Sequence, residues 1–128
     1  MDRIQVALDY HHKGYNCAQA VACAFSDMTG LDEQTVFRMC EGFGFGMGGG
    51  KLTCGALSGA VVIASLLSSK GYDPSALSKA HTYLVAKQIG EQFLEKEGND
   101  VCCALKDKGR SCDEFIADAV RILNTVIA

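Results

Sequence analysis

Residues 42–59 read GFGFGMGGGKLTCGALSG, and the reading of this stretch decides the fold. Gly44-Phe45-Gly46-Met47-Gly48-Gly49 matches the pattern G-x-G-x-x-G. That pattern cradles a pyrophosphate only where it joins a strand to a helix inside a βαβ unit. Here a helical pattern precedes it and no parallel-strand pattern exists. A P-loop needs glycine five residues before the Gly-Lys pair and Ser or Thr after the lysine, but Phe45 and Leu52 stand there. Two readings survive. Successive glycine amides ahead of a helix can form an anion-binding nest, or the small residues let the backbone approach another helix closely. Gly55 and Gly59, one helical turn apart, continue the small surface into the next segment and favour close approach.

Working outward, the stretch separates helices. Each glycine costs about 1 kcal/mol against alanine inside a helix, so residues 42–50 read as a loop. A helix follows Thr53 and is apolar nearly all round, which predicts a central, buried element. Its longest apolar run, Ala56 to Leu67, is interrupted by Ser58, Gly59 and Ser65, short of the roughly 20 residues that span a bilayer. Upstream, Ile4, Ala7, Leu8 and His11 line one helix face. Gly14-Tyr15-Asn16 breaks that helix, and a second carries Cys17, Ala20, Val21, Ala24 and Met28 on one stripe. A third is predicted from the cap Asp32 to about Cys40, with Leu31 and Val36 placed as a hydrophobic staple. Downstream, Asp73 and Pro74 predict the cap and first position of a long helix ending near Gly98. A short helical turn covers Cys102 to Lys106. The last helix starts at Ser111 and turns Phe115, Ile116, Ala119, Val120, Leu123 and Ile127 inward. There is one proline, no sustained period-two alternation, no linker and no repeat. The expectation is an all-α fold: a single domain over residues 1–128, built as a bundle of five to six helices with a Gly-rich loop before a buried central helix.

Composition narrows function. The 128 residues are 48% hydrophobic and 21% charged, with a net charge of −3, ordinary for a chain that buries a core. Lys and Arg are scattered, whereas a nucleic-acid groove or membrane-surface patch gathers them on one face. The N-terminus MDRIQVALDYHHKG is too polar for a secretory signal. No nucleic acid, no membrane span and a cytoplasmic location are expected. Seven cysteines are many, and odd in number. Without an export signal they read as free thiols, metal ligands or redox pairs rather than staples, though a buried cysteine is also an ordinary small hydrophobe.

The thiols fall in a pattern. Asn16-Cys17, Thr53-Cys54 and Ser111-Cys112 each set a favoured N-cap residue before a cysteine at the first helical position. Gln19 and Glu114 stand three residues after Asn16 and Ser111, as a capping box requires, and Leu52 and Leu57 flank the third cap. Asp100 is a looser candidate to cap a short helix with Cys102 in its first turn. A helix N-terminus stabilises a thiolate, whereas inward burial opposes it, and the sequence does not rank the two. Cys23, Cys40 and Cys103 lack such placement and read as core or incidental. No C-x-x-C spacing exists, and the adjacent Cys102-Cys103 could at most close a strained vicinal disulfide. His11 and His81 read as satisfied core histidines, His12 as solvent-facing, and Glu95 and Glu97 as an exposed charge cluster.

The ordered set G-Y-N-C-A-Q-A-V (14–21), the glycine-rich run into C-G-A-L-S-G (54–59), G-x-x-x-C-x-x-L (98–105) and C-D-E-F-I (112–116) resembles the C_GCAxxG_C_C family over nearly the whole chain. Its members are described as redox-active, with four characteristic cysteines. The resemblance implies Cys17, Cys54, Cys102 and Cys112 as the four, with Cys102 favoured over Cys103 by Gly98 four before it and Leu105 three after. It implies Gly55, Ala56 and Gly59 as the rest of the central motif. The leading expectation is a thiol-based redox protein, a candidate thiol–disulfide oxidoreductase exchanging with a small thiol or another redox partner. Cys54 is its expected nucleophile, with Cys17 and Cys112 as resolving thiols. The alternatives are a four-cysteine zinc or iron–sulfur module and a helical interaction protein whose cysteines only pack.

Overall fold

The computed structural model describes all 128 residues. Seven α-helices follow one another: α1 (Arg3–His12), α2 (Cys17–Cys23), α3 (Glu33–Cys40), α4 (Gly55–Ser68), α5 (Lys79–Glu97), α6 (Cys102–Lys106) and α7 (Cys112–Ile127). The fold is all-α as the periodicity predicts, with one helix more than the upper expected number. The sole strand-like feature is a one-residue antiparallel bridge between Thr53 and Val101.

Helix starts follow local chemistry. Asn16 caps α2 in a complete capping box: its side chain accepts from the Gln19 amide, and the Gln19 side chain accepts from the Asn16 amide. Asp32 caps α3 through the Thr35 amide, and Ser111 caps α7 through the Glu114 amide. Only half of the expected box forms at α7, because the Glu114 carboxylate is bonded to Arg110.

Three boundaries differ from expectation. The second helix stops at Cys23 rather than reaching Met28, and a 3-10 turn covers Ser26–Met28. The Arg3 guanidinium takes the Ala24 carbonyl at 2.7 Å, an acceptor that a continuing helix would use. Pro74 does not open α5. Asp73 spends its carboxylate on the Ser75 amide and hydroxyl, closing a local turn, and the helix begins at Lys79. Thr53 is not the cap of α4 either: Cys54 occupies the cap position itself, and Thr53 pairs with Val101.

The central helix is α4. It buries Gly55, Ala56, Leu57, Gly59, Ala60, Ile63 and Ala64 and packs against α2, α5 and α7. Every residue of α2 is buried too. These two helices touch backbone to backbone, since a Cβ on Gly59 would lie 2.5 Å from the Ala18 carbonyl oxygen. The glycine-rich run coils into a 3-10 turn, Glu41–Phe43, and an irregular wide turn, Gly46–Gly50. There the glycines serve close approach: Gly44 lies against the Asn16 side chain and Gly46 against the Cys102 Cβ. One continuous core of Ala, Val, Ile, Leu, Phe and Cys joins all the long helices. No helix is long and apolar enough to cross a membrane.

Candidate thiol site

Four helix starts meet at one end of the bundle. Cys17 and Cys112 are the first residues of α2 and α7, Cys102 is the first residue of α6, and Cys54 caps α4. The loops before α4 and α6 are tied together by two backbone bonds. The Cys54 amide donates to the Asp100 carbonyl at 2.6 Å, and the Cys102 amide to the Leu52 carbonyl at 2.8 Å. Asn99, not Asp100, organises the second loop, its side-chain oxygen accepting from the amides of Asp100 and Val101. The Thr53–Val101 bridge thereby sets two sequence-distant thiols side by side.

All four thiols line one cavity of about 160 Å³, together with His11, Asn16, Phe45, Leu105, Lys106 and Phe115. Cys54 and Cys102 are 5% exposed and Cys17 9%; Cys112 is half-buried. Cys103, the neighbour of Cys102, faces solvent, while Cys23 and Cys40 are buried elsewhere in the core. Gly55 makes room for the set: a Cβ there would collide with the Cys17 sulfur and lie 3.0 Å from the Phe43 carbonyl oxygen. Ala56 and Gly59 are buried against the core rather than the cavity. At the mouth, Phe45 holds a left-handed backbone (φ 53°), an uncommon state for a residue with a side chain. Its ring lies under the Lys106 ammonium at 4.6 Å.

Burial and helix start oppose each other here, as expected, and burial prevails. The Cys54 thiol is pushed up to about 12 by burial, although the nearby Ala56 and Leu57 amides at the helix start favour the thiolate. Burial also raises Cys102 and Cys112, and the Lys106 ammonium opposes both shifts. Charge on Cys17 raises each of the other three, so this sulfur is the hub of the set. At rest Cys54, Cys102 and Cys112 therefore carry their protons.

Four cysteine sulfurs are a sufficient donor set for a tetrahedral metal, and Cys17, Cys54, Cys102 and Cys112 are the cavity residues that would supply it.

The sequence missed two polar clusters. His11 is not a core histidine: it lines the cavity, and its Nδ1 is bonded to the Asp113 carboxylate at 2.6 Å. His12 faces solvent as expected and bonds the other Asp113 oxygen at 2.7 Å. The available signal was the acidic residue directly after Cys112. His81 is exposed, not core, and Glu97 is buried rather than exposed. Glu97 is paired with Arg110, which also holds Asp118 at 3.0 Å.

No curated protein and no solved structure matches the chain. A family model does, over residues 15–126, and its description is "putative redox-active protein". That span contains all four cavity cysteines and excludes only residues 1–14, which include the first helix, and the last two residues. With the model matching most of its length, the chain belongs to the C_GCAxxG_C_C family.

Proposed function

We propose that the chain is a thiol–disulfide exchange protein whose cavity cysteines carry a reversible two-electron oxidation. The observation that carries this reading is the convergence of four thiols from four helix starts on one cavity. A packing role would need no free space beside the sulfurs.

Cys112 is the attacking sulfur in this reading, because it is the most open of the four, whereas Cys54 is 5% exposed and its proton is held to about pH 12. The role first given to Cys54 passes to Cys112 on those grounds. The Cys112 thiolate attacks one sulfur of a small disulfide, and the second sulfur leaves as a thiolate and takes up a proton. Cys17, the hub, then attacks the mixed disulfide and releases the second small thiol. One external disulfide and two protein thiols become two external thiols and one protein disulfide. Cys54 and Cys102, tied by the Thr53–Val101 bridge, form a second pair able to exchange with the first.

Incubation with glutathione disulfide, followed by alkylation and peptide mapping, tests the reading. The expected product is a Cys17–Cys112 disulfide, reversed by dithiothreitol, and Cys17→Ser should trap glutathione on Cys112. Four thiols unchanged after equilibration would overturn the proposal. So would a stoichiometric metal in anaerobically purified protein that blocks alkylation of all four, which would favour a metal or cluster module.

A further inference from the structure

The buried thiols raise a chemical question: where does the proton go when a sulfur attacks? Thiolate, not thiol, is the nucleophile, and an apolar enclosure retains the proton unless an acceptor lies inside it. One imidazole lines the cavity, that of His11. Its orientation is fixed by chemistry. The His12 and His11 hydrogen bonds hold the Asp113 carboxyl below the usual carboxylate range, so Asp113 is ionised and can only accept. The His11 Nδ1 therefore carries the hydrogen shared with Asp113, and in the neutral ring Nε2 bears the free lone pair. No other protein group bonds that nitrogen within hydrogen-bond distance.

We propose that His11 is the proton acceptor and donor of the thiol cavity, with Asp113 as its positioning residue and Cys112 as the thiol it serves. The proposal deepens the exchange function above and rests on it for its biological purpose. Cys112 and Asp113 are consecutive in the first turn of α7, and the imidazole that Asp113 holds lines the same cavity as the half-buried Cys112 thiol. Nucleophile, base and orienting carboxylate stand in the order used by activated cysteine and serine nucleophiles on unrelated folds.

The steps balance. Nε2 takes the proton from Cys112 Sγ, giving a thiolate and an imidazolium whose second N–H stays on Asp113. The thiolate attacks the incoming disulfide, one S–S bond breaks as another forms, and the departing thiolate takes the proton from Nε2. The titratable groups around the ring's cavity are Cys112 from α7, Cys17 from α2, Cys102 and Lys106 from α6 and Cys54 at the start of α4, with Asp113 bonded to the ring and His12 to Asp113. Lys106 favours the thiolate on Cys112, and charge on Cys17 and on Asp113 opposes it.

The test is the pH profile of Cys112 alkylation by iodoacetamide, read site by site by mass spectrometry in wild type, His11→Gln, Asp113→Asn and His12→Gln. His11→Gln is expected to slow Cys112 at neutral pH by roughly tenfold or more and to move its inflection upward. Asp113→Asn should do the same to a smaller extent, because loss of the ring's orientation is partly offset by loss of a charge that opposes the Cys112 thiolate, and His12→Gln should leave the profile near wild type. In His11→Ala, added imidazole should restore part of the rate, which a merely structural role would not allow. An unchanged Cys112 profile in folded His11→Gln overturns the proposal. Glutathione disulfide run in parallel separates the two claims. Oxidation that proceeds equally in wild type and His11→Gln removes the role of His11 and leaves the exchange function standing. A His11-dependent alkylation profile with no protein disulfide does the reverse.

Discussion

Cys23 and Cys40 lie as deep in the molecule as Cys54, and burial raises their thiols to about 12 and about 11, as it raises Cys54 to about 12. By exposure and proton affinity alone Cys54 resembles these two core sulfurs. They differ in address. Cys23 and Cys40 end their helices, and the Cys23 thiol donates to the Glu33 carbonyl at 3.8 Å inside packed core. The other four begin helices, face unpaired backbone amides or a lysine, and border free space with an imidazole in its wall. In the proposed exchange function, depth therefore does not mark a working thiol; a helix start beside a cavity does.

The largest effect should be common to both groups, and failure to share it would break the comparison. Cys23, Cys40 and Cys54 keep their protons in the folded state to about 12, 11 and 12, against 9.0 for a free thiol. Above the unfolded value the unfolded chain binds fewer protons, so stability falls as pH rises. Denaturant midpoints should drop steeply between about pH 9 and pH 12, and Cys40→Ala and Cys54→Ala should each flatten the slope. A midpoint independent of pH in that window would remove the shared burial.

Next in size is Gly59→Ala. Its Cβ would meet the Ala18 carbonyl oxygen at 2.5 Å, and backbone cannot swing aside, so α2 and α4 must separate. A loss of about 2–3 kcal/mol is expected in urea melts. Cys40→Ala, which empties a sulfur-sized space in a fully buried site, should cost about 1–2 kcal/mol and leave oxidation by glutathione disulfide unchanged. Cys17→Ala should show the opposite balance, abolishing the Cys17–Cys112 bond. Gly90→Ala is the smallest change. It lies inside α5 with nothing within 4 Å of its Cβ position, so a gain of about 0.5–1 kcal/mol is expected from helix propensity.

How much of this was legible in the chain depended on the range of each interaction. Asn16, Asp32 and Ser111 cap through partners three residues away, and the inward stripe of α7 repeats every turn, so both can be read locally. Gly44, Gly46, Gly55 and Gly59 announced close approach without naming the neighbour, which only the fold supplies. Pro74 misled because Asp73 offered a local turn as well as a cap, and the turn prevailed. Cys54 as its own cap depends on Thr53 pairing with Val101, a contact 48 residues distant. Glu97 looked exposed until Arg110 and Asp118 arrived from other segments. His11 and Asp113 are 102 residues apart, and no spacing rule connects them. Motif cysteines were readable because their helix starts are local; their partners were not.

The most direct test divides the seven cysteines into the two groups. One variant keeps only Cys17, Cys54, Cys102 and Cys112, with Cys23, Cys40 and Cys103 replaced by alanine; the other keeps only those last three. Free thiols are counted in each under native conditions after equilibration with glutathione disulfide and again after dithiothreitol. The expected result is that the first variant loses two thiols to an internal disulfide and regains both on reduction, while Cys23 and Cys40 stay free in the second. An inert first variant, or oxidation that follows Cys23 and Cys40 instead, would contradict the central claim that helix starts around the cavity make the redox site.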